Sequence, residues 1–289
     1  MKLITSITAI AAAVSGAEAY WKGFNLAANK QDGACKTRED WENDFNRLKG
    51  LPGHFTSVRL YASSDCNTLQ NAVPAALNTG IQILVGVWAQ DSAHFTREKD
   101  ALSAAIQQYG HDWIIAISVG SEDLYRKDID PNQLAKQIYD VRGMVRNFGL
   151  SQEVGHVDTW TAWVDGANEV VITASDFVAL DGYPYFEGSS IEDAANTFWT
   201  SVQRTRDVVN RVKSGTWVWV TETGWPYKGE TFGGKAVASQ QNAQTYWSNV
   251  ACDAMNNMHF FYYIDVDYNQ SPSFGVLDSN FNPIINLQC

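Results

Sequence analysis

The chain reads as a single (β/α)8 (TIM) barrel, an α/β fold. Three observations predict it. Eight short runs rich in β-branched and aromatic residues recur along the 289 residues. Their starts lie about 34 residues apart on average, the length of one strand-plus-helix unit. Several runs are apolar without alternation, such as Ile81-Gln82-Ile83-Leu84-Val85 and Ile114-Ile115-Ala116-Ile117. That is the pattern of parallel strands covered on both faces. Eight such units use up residues 20–289, so we expect one domain there with no linker. The alternative, an open doubly wound sheet, needs a Gly-rich phosphate turn after an early strand. None is present.

The eight strands are expected at Trp21–Asn25, Ser57–Tyr61, Gln82–Trp88, Trp113–Val119, Glu153–Asp158, Phe177–Tyr183, Trp217–Glu222 and Phe260–Asp265. Helical stripes lie between them. The clearest runs from Pro131 to Phe148. Asp130 suits an N-cap and Pro131 the first helical position. Leu134, Ile138, Val141 and Val145 form one apolar stripe, and Gly149 ends it. Similar stripes occupy Ala101–Tyr109, Ala194–Val212 and Ala243–Ala254.

Met1–Ala19 reads as a secretory signal: Lys2, then a mostly apolar stretch from Leu3 to Val14, then Ala17-Glu18-Ala19 as a cleavage site. The stretch is shorter than the ~20 residues that span a bilayer, so no membrane span is expected. The catalytic barrel would then occupy residues 20–289 of a secreted, extracellular or cell-wall protein. Four cysteines fit two disulfides in that setting. Spacing leaves three pairings open; we expect Cys35–Cys66 and Cys252–Cys289. One sequon, Asn269-Gln270-Ser271, is followed directly by Pro272, which argues against its use.

The formal net charge is -11. An acidic surface repels phosphate backbones, so nucleic acid is not an expected partner. The five histidines are scattered and no C-x-x-C or H-E-x-x-H occurs, so neither a metal nor a cofactor is expected. The aromatic content is high, with 11 Trp, 12 Tyr and 13 Phe. Either the core is unusually aromatic, or some rings line a surface for a flat, partly apolar ligand.

In a barrel of this kind, chemistry sits at the carboxyl ends of the strands. Strand 4 ends in Val119-Gly120-Ser121-Glu122, and strand 7 in Val220-Thr221-Glu222-Thr223-Gly224-Trp225-Pro226. Each places a carboxylate just past a buried strand, where a charge is costly without a task or partner. One such Glu is most simply a salt-bridged rim residue; two of them, three strands apart, point to a pair. Paired carboxylates across a cleft are what glycosidic cleavage needs. Rings at strand ends (Trp160, Trp163, Tyr183, Tyr185, Phe186 and Trp225) could hold the apolar face of a sugar. Trp113, Trp217 and Trp247 read as core.

Val119-Gly120-Ser121-Glu122 with Leu124-Tyr125-Arg126, Asp181-Gly182-Tyr183-Pro184-Tyr185-Phe186 and Thr221-Glu222-Thr223-Gly224-Trp225-Pro226 resemble glycoside hydrolase family 17. More narrowly, they resemble its fungal cell-wall branch of glucan endo-1,3-β-glucosidases and 1,3-β-glucanosyltransferases. Val58-Arg59-Leu60-Tyr61 and Thr159-Trp160-Thr161-Ala162-Trp163-Val164-Asp165-Gly166 add to the match. The resemblance spans essentially all of residues 20–289 and is most specific at Thr221–Pro226.

It implies a retaining enzyme acting on β-1,3-glucan, with Glu122 as acid/base and Glu222 as nucleophile. Tyr183 and Arg59 would hold Glu222 ionised and oriented. Tyr61, Trp160 and Trp225 are further substrate-binding candidates, with Asp265 at the end of strand 8. Ser121 departs from the pattern, since many relatives in this clan carry Asn before the acid/base. Ser is shorter, which weakens the expected contact to the sugar 2-hydroxyl. A monomer is expected. The rivals are a glucan-binding barrel without activity and a glycosidase of another linkage.

Two other motifs are lookalikes. Gly229–Lys235 starts like a phosphate loop, but Ala236 stands where Ser or Thr should bind Mg²⁺. A cleft-side loop is the better reading. Asp265–Asn269 starts like a calcium loop, but Gln270 replaces the turn Gly and Val276 the closing Glu.

Overall fold

A computed structural model describes residues Tyr20–Tyr268 and Gln270–Cys289. The leader expected at Met1–Ala19 and the sequon residue Asn269 lie outside the described residues.

Eight parallel strands close into a barrel in chain order: β1 (Lys22–Asn25), β2 (Ser57–Arg59), β3 (Gln82–Val87), β4 (Ile114–Ser121), β5 (Glu153–Thr159), β6 (Phe177–Asp181), β7 (Trp217–Glu222) and β8 (Phe260–Tyr262). The helices between them are α1 (Arg38–Gly50), α2 (Thr68–Thr79), α3 (Ser92–Tyr109), α4 (Asp123–Arg126), α5 (Pro131–Asn147), α6 (Trp160–Trp163), α7 (Glu169–Ala174), α8 (Ala194–Val212), α9 (Gln240–Tyr246) and α10 (Cys252–Asn257). A π-helical turn, Trp247–Ala251, joins the last two. The Pro131 helix starts as its sequence requires. Asp130 Oδ1 accepts from the backbone N–H groups of Asn132 and Gln133, two donors that a helix start leaves unpaired.

Strand residues alternate between two environments, as a period of two requires. Ile83, Val85, Ile117, Val178, Leu180, Val218 and Val220 pack outward under the helices. Leu84, Ala116, Val157, Phe177, Ala179, Trp219 and Phe261 form a separate cluster. These are the inward rows, and they fill the lumen as packed side chains. Phe177 and Trp219 stack with centroids 4.6 Å apart. Two residues further on, the same rows carry Arg59 above Ser57, Asn25 above Gly23, and Asp181 above Ala179. The mouth of the lumen is therefore polar because the inward positions there are polar.

The cysteines pair Cys35–Cys66 and Cys252–Cys289, with Cα atoms 5.1 and 5.4 Å apart. Trp113 and Trp247 are fully buried. Trp217 corrects an expectation: it starts β7 at the amino end of the barrel and is 42% exposed. Its ring contacts are Tyr20 and His259, outside the core clusters. Strand 8 is also shorter than expected, ending at Tyr262. Among the described residues, no helix is long and apolar enough to cross a membrane.

Candidate active site

Glu222 ends β7 with its side chain turned into the barrel mouth and nearly buried. Three groups donate to it. Arg59 Nη1 reaches Oε1 at 2.6 Å, Tyr61 Oη reaches Oε1 at 2.9 Å, and Tyr183 Oη reaches Oε2 at 2.7 Å. A set made only of donors suits an ionised, acceptor-only carboxylate. Burial and then the Glu222 charge push both tyrosine hydroxyls well above the usual phenol range. They stay protonated, and so remain donors.

Arg59 is anchored in turn. It is 1% exposed. Nη1 also donates to Asn25 Oδ1 at 2.9 Å, and Nη2 to Ser121 Oγ at 2.9 Å. The Asn25 amide donates to the Thr221 and Tyr262 carbonyls, which fixes its orientation. Burial opposes the guanidinium charge, but Glu222 and Asp181 more than offset that cost. Asn25 from β1 and Ser121 from β4 thus hold Arg59 of β2 in place, and Arg59, Tyr61 and Tyr183 converge on the one carboxylate.

Glu122 arrives differently. The β4–β5 register shifts between Ser118 and Ser121, and Glu122 then adopts φ 55°, ψ 24°, a left-handed conformation rare outside glycine. Its backbone N–H donates to the Val157 carbonyl at 2.9 Å. Gly120, two residues earlier, is also left-handed; a Cβ there would sit 2.0 Å from Asp123 Oδ2, the oxygen that accepts from the Ser121 N–H. The turn is therefore glycine-dependent. The Glu122 carboxylate accepts from Arg126 Nη1 at 2.8 Å through Oε2. Burial, and then the nearby Glu222 charge, push its carboxyl up to about 7.

One oxygen from each of Glu122, Glu222 and Asp181 lies within 4.8 Å of the others. Asp181 is the strand partner of Glu222. It is buried; Oδ1 accepts from Thr221 Oγ1 at 2.8 Å, while Oδ2 has no hydrogen-bond partner among the described residues. Burial and then the Glu222 charge hold its carboxyl well above the usual range.

The mouth opens into a cleft of about 1000 Å³. Trp160, Tyr183, Tyr61, Ser121, Glu122 and Glu222 all line it, with Tyr125, Phe186, Phe232 and Tyr263 as further rings. Trp160 Nε1 donates to Glu187 Oε1 at 3.1 Å, which sets its plane. The Gly229–Lys235 loop carries Phe232 to this cleft.

Four residues expected at the cleft, Trp225, Trp163, Tyr185 and Asp265, are buried and do not line it. Trp225 is buried, with Nε1 on the Val237 carbonyl at 2.9 Å and its ring edge-on to Tyr185. It packs in the wall behind the cleft because the chain turns outward after Glu222. Trp163 is buried likewise, its Nε1 on the Ala179 carbonyl. Asp265 is buried three residues beyond the end of β8. Its neighbours Ile264 and Val266 line the cleft while it faces Lys36 and Asp44. Burial, partly countered by Lys36, leaves its carboxyl pushed up to about 6.

Asp181 and Arg126 sit inside the sequence motifs, yet sequence reasoning alone gave neither a role. Asp181 had a readable signal, a carboxylate ending an apolar strand. Arg126 had only its i,i+4 spacing from Glu122.

Residues 23–281 match the family model described as the BtgE/BtgC glycoside hydrolase domain. The chain belongs to this glycoside hydrolase family. The chain is also similar to the glycoside hydrolase family 17 β-1,3-glucanosyltransferase from Rhizomucor miehei. That likeness has a TM-score of 0.81 and 30% identity, covering 95% of this chain and 99% of that one. A probable glucan endo-1,3-β-glucosidase of Aspergillus fumigatus is 40% identical, over 99% of this chain and 69% of its own length. A glucan 1,3-β-glucosidase of Schizosaccharomyces pombe is 37% identical, over 92% of this chain and 86% of its own. As a member of the family, the chain is a glycoside hydrolase.

Proposed function

We propose that this enzyme remodels the β-1,3-glucan of a fungal cell wall by a retaining double displacement. Glu222 attacks the anomeric carbon while Glu122 protonates the departing oxygen. A glycosyl-enzyme forms on Glu222. Glu122 then removes the proton of the incoming acceptor, which attacks the same carbon and frees Glu222. The observation that carries this reading is the asymmetry of a close pair. One carboxylate receives three donors, and the other is held near neutral protonation. One oxygen from each carboxyl lying within 4.8 Å of the other supports the ~5–5.5 Å separation of retaining enzymes over the ~6.5–9.5 Å of inverting ones.

The substrate class rests on the relatives. One solved structure is an active-site mutant of the Rhizomucor miehei glucanosyltransferase in complex with laminaritriose. An acceptor of water gives hydrolysis; a second glucan chain gives transfer. Exposed Tyr125, Phe186 and Phe232 beside the pair offer stacking faces for a second chain, which favours transfer. Secretion follows from the leader read in Met1–Ala19, and two disulfides suit an oxidising compartment. We take the protein to act as a monomer, without metal or cofactor.

The test is to incubate the protein with β-1,3 oligosaccharides and follow products by mass spectrometry and NMR. Products longer than the substrate, with the β anomer appearing first, are expected. An α anomer as first product rejects retention. No change to β-1,3 chains rejects the substrate.

A further inference from the structure

We propose that Arg126 is the positioning residue of the general acid: by holding Oε2 of Glu122 it leaves Oε1 to carry and deliver the proton. This rests on the reading of Glu122 as acid/base. A guanidinium has only donors. Oε2, facing Arg126 Nη1 at 2.8 Å, therefore cannot carry a proton pointed at it. Among the described residues no side chain donates to Oε1. A neutral Glu122 therefore favours Oε1, the oxygen without a donor, as the site of its hydrogen.

Arg126 is itself fixed on the other two edges of its fork. Nη2 donates to the Ser121 carbonyl, and Nε to Asp128 Oδ2 at 3.0 Å. Asp128 is held by Gln90 Nε2 at 2.7 Å. The guanidinium is thus tied to the backbone just before Glu122 and to the loop just after α4. One turn of α4 joins the two residues, with the Arg126 N–H on the Glu122 carbonyl at 3.0 Å. The left-handed backbone of Glu122 and this clamp leave its carboxyl little freedom to rotate.

The clamp serves both half-reactions. In the first, the Oε1–H bond breaks, its proton joins the glycosidic oxygen, and the bond from that oxygen to the anomeric carbon breaks as Glu222 bonds to it. Glu122 is then an anion beside a fixed cation. In the second, Oε1 takes the acceptor's proton and the starting state returns. The groups facing Glu122 are Glu222 from β7, Asp158 from β5, Arg59 from β2, Asp181 from β6, Tyr263 after β8, and Arg126. Of the two cations, Arg59 is bonded to Glu222. Arg126 itself faces Asp123 and Asp128 as well as Glu122. Its charge favours ionised Glu122, against burial and Glu222. Removing it raises the Glu122 carboxyl further, so the acid stays protonated to higher pH.

The test compares Arg126→Gln and Arg126→Lys with the parent enzyme. Two substrates are used: a β-1,3 oligosaccharide, and a dinitrophenyl β-laminaribioside whose leaving group needs no protonation. Stoichiometry of trapping by a 2-fluoro glycoside counts competent sites, so rates refer to folded enzyme. Arg126→Met serves as the neutral variant if Arg126→Gln does not accumulate.

For the neutral variant we expect the alkaline limb of kcat/KM on the oligosaccharide to move up by about one pH unit. The plateau should fall about tenfold, with aryl release in the first step little changed. Arg126→Lys should keep the parent limb. An unmoved or lowered limb in the neutral variant, or a Lys variant shifted equally, overturns the proposal. Failure of the underlying reading looks different: Glu122→Gln would then slow both substrates alike.

Discussion

The floor and the mouth of the barrel lumen are built from the same inward rows, two residues apart on strands 1, 2 and 6 and three on β7, where a register shift sets Glu222 beside Asp181, and they behave as opposites. At the floor, Phe177, Ala179, Trp219 and Phe261 pack among themselves, and a lost side chain costs packing. At the mouth, Asn25, Arg59, Asp181 and Glu222 are almost as buried, yet each is tied to the next by a directed bond or a charge. The floor would tolerate a volume-conserving exchange. At the mouth even an isosteric exchange alters the chemistry while the fold survives, because it changes the charge and bonds that the buried partners depend on. Stability and chemistry are thus separated by one step along a strand.

That separation can be broken deliberately. Glu222→Gln should cause the largest loss of activity, about 10⁴-fold or more in kcat, with the fold and glucan binding retained; steady-state rates and a binding isotherm check it. Glu122→Gln should lose about 10²–10⁴-fold on β-1,3 oligosaccharides and much less on a dinitrophenyl glycoside.

Phe177→Ala should do the reverse of both. We expect a destabilisation of about 3–5 kcal/mol, read by denaturant unfolding, with an unchanged pH profile in the molecules that remain folded. A profile that moves with the floor would erase the distinction. Smallest is Trp160→Ala, which should raise KM several-fold through a lost stacking face, while Trp225→Phe changes thermal stability more than KM.

The parent pH profile sharpens the contrast within the mouth. Glu122 must be protonated for the first step, and burial followed by the Glu222 charge places its carboxyl at about 7. Activity should therefore decline as pH rises through about 7. Rate measurements across pH on the oligosaccharide test this. An alkaline limb that stays when Glu122 becomes Gln would assign it to another group.

The barrel was legible because its signal is repeated eight times, and because strands covered on both faces cannot hide their apolar runs. Glu122 and Glu222 were legible because an ionisable group directly after such a strand is costly without a role. Residues a few positions past a strand end were harder to read. Trp225 and Asp265 stand three residues beyond Glu222 and Tyr262 respectively, where the loop path decides which way a side chain turns. Periodicity says nothing about that path. Trp217 failed for a related reason: strand membership does not reveal that a residue sits at the open amino end. The partners of Glu222 are harder still. The bond from Arg59 spans 163 positions of sequence, and only closure of the barrel brings them together.

The central claim is that Glu222 becomes the glycosyl-bearing residue. A 2-deoxy-2-fluoro β-laminaribiosyl fluoride, which slows the second step, should leave a covalent sugar on the protein. Peptide mass spectrometry should place it on Glu222 within Thr221–Trp225. A label on Glu122 or Asp181, or turnover with no covalent species at any time point, would contradict the account.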